Sequence, residues 1–435
     1  MPDVLLINPA WGDRRPRRWP PLDLLGLAAL LRGQGATVEL ADARAVPTAP
    51  AALKALAARA DTVFITSSPL DRWQRPHLDT RGFAQTCRGL DHPRVVLLGV
   101  HGTLSPAEML AATGAWTLVR GESEQAAPLA RGADRSELPG AAWLQKGELR
   151  LGPEPAPVEL AALPMPAFEL APPEFYEHEA LGRRFALLET SRGCAHACRF
   201  CLKAMYGPGV RRKSVARVLA EAEAVARLGA RCFYFMDLEF TGERERALEL
   251  CAGLAGLGLG LSWGCQSRPD AVDPELLTAL AGAGCRLVRY GVESGSPAVL
   301  EGLGKPLDPE AAREAVAATE RAGMDSVCSF MLGLPGEGEA ERAAILELAR
   351  SLPAGWVSFQ VAVPYPGTGL AADCPDSPAW SACDAQPSAH DELEAWRKRA
   401  CRSFYLQPGR LARLLGKGRG SLRQNGARLL RELSR

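Results

Sequence analysis

The sequence predicts an α/β protein with a doubly wound amino-terminal domain, a second series of strands and helices, and a small carboxyl-terminal extension. Apolar runs of strand length alternate with helix-compatible stretches up to about residue 130, which favours parallel strands covered by helices. Further strand-like runs recur between Phe185 and Gly367, again separated by helix-compatible sequence. The length of 435 residues accommodates two or three cores at roughly 100 to 200 residues per domain.

The first strand is VLLIN, Val4 to Asn8, followed by a Pro-rich and Arg-rich loop and by LDLLGLAALLRGQG, a helix ending near Gly33 or Gly35. TVELADA, a helix from Ala51 to Arg59, TVFITSS from Thr62, a helix around Thr80 to Gly89, and RVVLLGVHGT from Arg94 continue the alternation. A helix from Pro106 to Thr113 and the segment WTLVRGESE close the series. We assign this domain to residues 1–150, including the start of a polar, Gly-rich and Pro-rich linker that runs over 151–184.

Ligands of such sheets meet the loops beyond the carboxyl ends of the strands. That rule gathers Asn8 to Trp19, Ser67 to Trp73, Gly99 to Thr103 and Gly121 to Glu124 at one rim, a cofactor-binding edge. The first loop is not GxGxxG, and GKGRG at 416–420 lacks a preceding strand, so neither supports a dinucleotide site. His101 stands in the rim as a cofactor-facing residue, with a structural role as the alternative.

Composition narrows the class further. With 47% hydrophobic and 23% charged residues, and 51 basic against 50 acidic side chains, neither extended disorder nor a generally basic nucleic-acid binder is favoured. Twelve unevenly spaced cysteines do not make a disulfide scaffold, and MPDVLLINPAW is not of signal-peptide type, so a reducing cytoplasm is the expected location. No run approaches the roughly 20 apolar residues of a membrane span; peripheral membrane contact stays open.

The strongest chemical signal is LLETSRGCAHACRFC, which spaces Cys194, Cys198 and Cys201 as CxxxCxxC directly after a strand-like segment. Three thiolates hold three irons of a cubane and leave the fourth open, whereas a zinc site ordinarily takes four protein ligands. The spacing, with Phe200 directly before Cys201, fits a [4Fe-4S] cluster with an open iron; zinc and ordinary thiols are the alternatives.

On these residues the sequence resembles the radical S-adenosylmethionine superfamily. The resemblance implies that the open iron binds the amino and carboxylate groups of S-adenosylmethionine, and that a reduced cluster cleaves it to methionine and a 5'-deoxyadenosyl radical. It also implies a partial (β/α)6 barrel over residues 185–370, whose strands are ALLETS, RCFYFMDLEFTG, LGLSWGCQSRPD, RLVRYGVESG, DSVCSFMLGLPGE and WVSFQVAVPYPG. In that frame Asp237 and Glu239 are expected to accept from the cofactor ammonium, with solvated loop acids as the alternative. Gln266 and Arg268 are expected to supply polar contacts, Arg268 alternatively to the methionyl carboxylate, and Glu293 to take ribose hydroxyls, with packing or surface salt bridges as the alternative for these three. Gly333 and Pro335 in MLGLPGE resemble the adenine-side turn, with a purely structural turn as the alternative.

The order of the two domains, with SPLDRW, GVHGTLSP, VRGESE and PYPGT, resembles the cobalamin-binding branch of the superfamily. The resemblance implies cobalamin contacts from Asn8, Ser68, Trp73, His101, Gly102, Thr103, Gly121 and Glu122. DxHxxG, the pattern of an axial histidine, is absent. The expected function is C-methylation of an unactivated carbon in a small molecule, lipid or natural-product precursor, with methylcobalamin supplying the methyl group. Cobalamin-dependent cyclisation or ring rearrangement is the alternative. A noncatalytic iron–sulfur protein and methylthiolation are lesser ones. An external electron donor such as flavodoxin or ferredoxin and an organic substrate are the expected partners; direct nucleic-acid binding is not expected.

The other nine cysteines read mainly as packed or surface thiols. Cys328 and Cys383 are placed near substrate as alternatives to packing, and Cys328 and Tyr365 stand as candidate catalytic residues. Residues 371–435 read as a cap with a helix from Ala389 to Tyr405 and a basic tail, for which flexibility, packing and contact with lipid or nucleic acid all remain open.

Overall fold

The computed structural model describes residues 2–12, 18–374, 387–408 and 410. Cys383, the GKGRG run and the tail from residue 411 lie outside the described residues. The chain forms two compact units. The first holds the residues up to His178 with Arg183–Gly193 and Leu202–Arg231; the second holds Glu179–Gly182, Cys194–Cys201 and the chain from Cys232 onward. The expected linker over 151–184 is therefore packed with its neighbours, and 151–178 belongs to the first unit.

In the first unit seven strands form one sheet: β1 (Val4–Asn8), β2 (Val38–Asp42), β3 (Thr62–Thr66), β4 (Val95–Leu98), β5 (Thr117–Val119), β6 (Ala141–Gln145) and β7 (Glu148–Leu151). Their order is β2-β1-β3-β4-β5-β6-β7. The strand period of two shows directly in the packing. Val4, Leu6, Phe64, Val96 and Leu98 join one apolar cluster, while Leu5, Ile7, Val63, Ile65, Val95 and Leu97 join the other. A sheet buried on both faces requires continuous apolar runs, which is why VLLIN and VVLL carry no polar alternation. The helix Leu22–Gly33 sends Leu24, Leu27, Ala28 and Leu31 into the first cluster. Leu53, Phe83, Cys87 and Met109 come to the second from helices Pro50–Ala57, Arg81–Gly89 and Pro106–Thr113. The domain is doubly wound, as expected.

At the far edge the sheet continues past its parallel strands. β1 to β5 pair in parallel, but β6 and β7 are antiparallel additions. They are joined by Lys146 (φ 54°) and Gly147 (φ 83°), the two left-handed positions of a tight hairpin turn. The signal was one dipeptide inside a stretch otherwise polar enough to read as linker.

Two buried aspartates occupy the carboxyl-side rim of this sheet. Asp42 accepts hydrogen bonds from Asn8 Nδ2 (2.9 Å), the Tyr176 hydroxyl (2.9 Å) and the Arg44 amide (3.0 Å). Burial raises its carboxyl to about 6, against the pull of Arg44. Asp23 accepts from the Leu70 amide (3.1 Å) and Ser123 Oγ (2.9 Å), and burial raises it from 3.8 to about 7. The folded state thus holds the Asp23 proton more tightly than the unfolded chain does. Its contribution to stability is full below pH 3.8 and is lost as pH rises through about 7. Asp23→Asn is expected to be more stable than the parent at pH 8, with the advantage fading by pH 5; urea unfolding at the two pH values checks this.

The second sheet has six strands: β8 (Phe185–Leu188), β9 (Cys232–Phe235), β10 (Ser262–Ser267), β11 (Cys285–Glu293), β12 (Asp325–Leu332) and β13 (Trp356–Val361). From β9 to β13 each strand pairs in parallel with the next. Helices between them start where the sequence places caps: Asp273 and Asp308 accept from backbone amides one or two residues beyond Pro274 and Pro309. Phe233, Phe235, Phe240 and Trp263 fill the core as one aromatic group, with Phe233 and Trp263 stacked 6.1 Å apart.

β13 ends the sheet order, and its outer edge would present unpaired backbone groups. The helix Pro387–Tyr405 covers it. Tyr405 Oη donates to the Val357 carbonyl (2.6 Å) and accepts from the Val357 amide (3.1 Å), replacing a neighbouring strand at that residue. Tyr405→Phe leaves both groups unpaired and is expected to cost about 1–3 kcal/mol in equilibrium unfolding. Among the described residues no helix is long and apolar enough to cross a membrane.

Candidate functional site

The cysteine loop begins beyond the carboxyl end of β8. Cys194, Cys198 and Cys201 are all half-buried, unlike the fully buried thiols of Cys265, Cys285 and Cys328. A turn closes over them, with the Cys201 amide donating to the Cys198 carbonyl (3.1 Å). The 303–305 segment braces the loop: the Arg199 amide donates to the Leu303 carbonyl (2.9 Å) and Phe200 packs with Val299, Leu303 and Leu334. Burial pushes the Cys198 thiol up, against the pull of Lys305 and Arg268. Two cations thus lie within electrostatic reach of one thiol of the loop. Among the described residues no three His, Cys, Asp or Glu side chains converge on a single ion. A cubane does not ask for such convergence, because each thiolate caps a different iron.

The carboxyl ends of the next strands bring the remaining groups to this loop's unit. Lys305 Nζ donates to Glu293 Oε1 (2.9 Å), with both side chains under a tenth exposed, and lies 5.8 Å from the Phe200 ring centroid. Glu293 holds φ at +69°, an uncommon conformation for a non-glycine residue and a marker of local strain. A Cβ on Gly291 would lie 2.6 Å from Lys305 Nζ, so only glycine leaves the pair its space.

Arg268 is held by Asp270 (2.8 and 2.6 Å) and the Pro306 carbonyl (3.1 Å). Glu239 accepts from the Arg268 amide (3.0 Å) and Thr241 Oγ1 (2.9 Å), and burial raises its carboxyl. Asp237 is buried beside it in sequence, and Gln266 Nε2 donates to the Leu238 carbonyl (3.2 Å). Gly333 (φ 79°) donates its amide to Glu337 Oε1 (2.9 Å), which shapes the turn that leaves Gly333 and Pro335 exposed.

In the first unit the rim residues assemble, but largely with one another. Ser68 Oγ accepts from the Val100 amide (2.8 Å), and Thr103 Oγ1 accepts from the Gly121 amide (3.0 Å). A Cβ on Gly102 would sit 3.3 Å from Leu118, so this glycine serves close packing. Asn8 Oδ1 is buried with no hydrogen-bond partner among the described residues, leaving one acceptor at the rim unspent. Glu122 is buried, held by Arg192 (2.9 Å) and Arg211 (2.9 Å). Trp73 is fully buried, edge-on to Tyr206, which places it behind the rim surface.

Two expectations change. His101 is fully buried; its Nδ1 is 2.9 Å from Ser67 Oγ and its Nε2 is 2.7 Å from the His77 carbonyl. Burial lowers it to about 4, so the neutral ring is a spacer between two loops with both nitrogens engaged. Cys328 faces the core of β12 with no exposure and its thiol pushed far up by burial, so it packs instead of meeting substrate. Tyr365 is half-buried in the turn after β13, where its carbonyl accepts from Thr368 Oγ1 (2.6 Å). Lys305 and Arg192 were missed: Lys305 is a lone lysine in GLGKPLD, and Arg192 was hidden in the motif by its cysteines.

Residues 188–349 match the family model of the Radical SAM superfamily, so the chain carries a radical S-adenosylmethionine domain. Over 286 residues it is 31% identical to an uncharacterized methyltransferase of Pyrococcus horikoshii, covering 63% of this chain and 62% of that protein. It is 26% identical to the anaerobic magnesium-protoporphyrin IX monomethyl ester cyclase of Rubrivivax gelatinosus, covering 63% of this chain and 52% of the relative. The chain thus spans between half and two thirds of these relatives. The structure of TsrM, a radical S-adenosylmethionine methyltransferase from Kitasatospora setae with cobalamin and a [4Fe-4S] cluster bound, superposes with a TM-score of 0.69 at 22% identity, covering 87% of this chain and 76% of that one. The chain thus shares its fold with that structure.

Proposed function

We propose that this chain is a cobalamin-dependent radical S-adenosylmethionine enzyme that methylates a carbon of a small organic substrate. The observation that carries the reading is the loop of three half-buried cysteines braced by the Lys305 turn within the radical S-adenosylmethionine domain. When bound, the cluster and S-adenosylmethionine supply a hydrogen-abstracting adenosyl radical, and methylcobalamin supplies the methyl group.

The protein's own groups do the binding and screening. Cys194, Cys198 and Cys201 hold the cluster, and Lys305 and Arg268 offset its negative charge. Glu293 offers a carboxylate to a ribose diol, and Glu239 one to an ammonium. The backbone of Gly333 to Gly336 lets a flat base approach closely. Phe200, Val299, Leu303 and Leu334 form an apolar patch beside the cysteine loop that excludes water. At the other site, the occupied nitrogens of His101 suit a corrinoid held without a protein imidazole, and the spare Asn8 Oδ1 can accept from a corrinoid amide.

Methyl transfer is favoured by the name of the Pyrococcus horikoshii relative, and cyclisation or rearrangement by that of the Rubrivivax gelatinosus cyclase. Anaerobic assay of reconstituted protein with cobalamin, a low-potential one-electron donor and methyl-labelled S-adenosylmethionine separates them. Label in a product together with 5'-deoxyadenosine is the expected result. Adenosyl cleavage with an isomerised or cyclised product and no label would establish the second reading.

A further inference from the structure

The cysteine loop is pinched at a neck. Ser191–Gly193 pairs antiparallel with Val210–Arg212, which sets Arg192 opposite Arg211. Gly193 holds φ at +97°, and a Cβ there would collide with the Gly209 carbonyl. All three cysteines hang from this neck.

What fastens the neck is ionic. The Arg192 guanidinium is fully buried and makes five hydrogen bonds: Nη1 to Glu122 Oε1 (2.9 Å) and Glu124 Oε2 (3.1 Å), Nη2 to Glu124 Oε1 (2.6 Å) and Glu189 Oε1 (2.9 Å), and Nε to Glu189 Oε2 (3.0 Å). Arg211 binds the other side of Glu122, and Lys213 joins Glu189 (3.5 Å) to Glu221 (3.0 Å). Burial alone would raise Glu189; Arg192 and Lys213 hold it below the usual carboxylate range. The guanidinium also lies 5.4 Å from the Trp73 ring. Beyond Cys201 the chain returns to the same region, where Tyr206 packs on Trp73 and Thr103 Oγ1 donates to Met205 Sδ (3.2 Å).

Desolvating so many charges costs free energy that an apolar neck of equal volume would avoid. What the ionic neck adds is direction: a planar fork bound by three carboxylates has one orientation. We propose that Arg192 is a positioning residue, whose grip on Glu122, Glu124 and Glu189 fixes the neck of the cysteine loop and thereby the placement of the three thiols that hold the cluster. The proposal rests on the cluster-binding reading above.

The test uses the full chain, reconstituted anaerobically with iron and sulfide, as parent, Arg192→Lys, Arg192→Gln and Glu124→Gln. Three quantities are read: iron per chain, the rate of iron loss to a ferrous chelator, and the change that S-adenosylmethionine makes to the electron paramagnetic resonance of the reduced cluster. Both Arg192 variants are expected to take up iron but to lose it about ten- to a hundredfold faster than the parent, as for other outer partners of a metal site. Their spectra should respond less to S-adenosylmethionine, and Glu124→Gln should fall between. Parent-like chelation and spectra in the Arg192 variants, even with a lower melting temperature, would overturn the proposal by leaving Arg192 a structural role only. If Arg192→Gln does not fold, the lysine and Glu124→Gln variants decide by the same readouts. A parent that takes up no iron fails the cluster-binding reading itself, an outcome visible before any variant is made.

Discussion

Cys194→Ala, Cys198→Ala and Cys201→Ala are each expected to reduce 5'-deoxyadenosine formation at least about a thousandfold, equivalent to about 4 kcal/mol of barrier, while leaving the fold intact. The two halves of this expectation come from the same geometry. The three thiols are half-buried on a loop and belong to neither apolar cluster of the first unit nor the aromatic core of the second. Truncating them to alanine should therefore change unfolding free energy by only about 0.5 kcal/mol. Cys328→Ala is the matched control: its thiol is fully buried between strands, so its loss should lower stability by about 1 kcal/mol and leave iron content and cleavage unchanged. Iron analysis, anaerobic cleavage assays and urea unfolding on the four variants check all three statements. Cleavage that survives in a loop variant with full iron content would remove the loop from the chemistry.

That control separates what the sequence makes legible from what it hides. CxxxCxxC is readable because ligand spacing within one loop is local, and no packing can change which residues lie three or four apart. The double winding of the first domain is readable for a similar reason: VLLIN, TVFIT and VVLL must be apolar on both faces if both faces are covered. The reading fails where a residue's role is set by partners far along the chain. His101 looks like a rim ligand until its ring is found between Ser67 and the His77 carbonyl. Arg192 carries no signal of its own in LLETSRGC, because its role is set by three glutamates, two of them about seventy residues away, that close on it. Cys328 shows that one face of a strand cannot be told from the other when both are buried. The β6–β7 hairpin was concealed differently, because a short edge strand with exposed residues has the composition of a linker.

The Lys305–Glu293 pair carries the other large expected effect, and it can be separated from stability. Both side chains are under a tenth exposed and lie 2.9 Å apart. Lys305→Met leaves a buried carboxylate without its cation, a loss of about 3–5 kcal/mol for such pairs. Under the proposed function the same ammonium faces the cysteine loop, where it balances cluster charge and is available to a cofactor carboxylate. Glu293 also sits at a strained φ of +69° at the end of β11. Lys305→Met combined with Glu293→Gln removes both charges and should recover most of the lost stability, because no ion is then left unpaired. It should not recover reaction: S-adenosylmethionine cleavage is expected to stay about a hundredfold or more below the parent in both the single and the double variant. Unfolding curves and single-turnover cleavage measured on the same preparations make the comparison. If cleavage returns with stability in the double variant, the pair is a structural clamp; if stability returns alone, the charged groups of the pair act on the cofactor or the chemistry and not only on the fold.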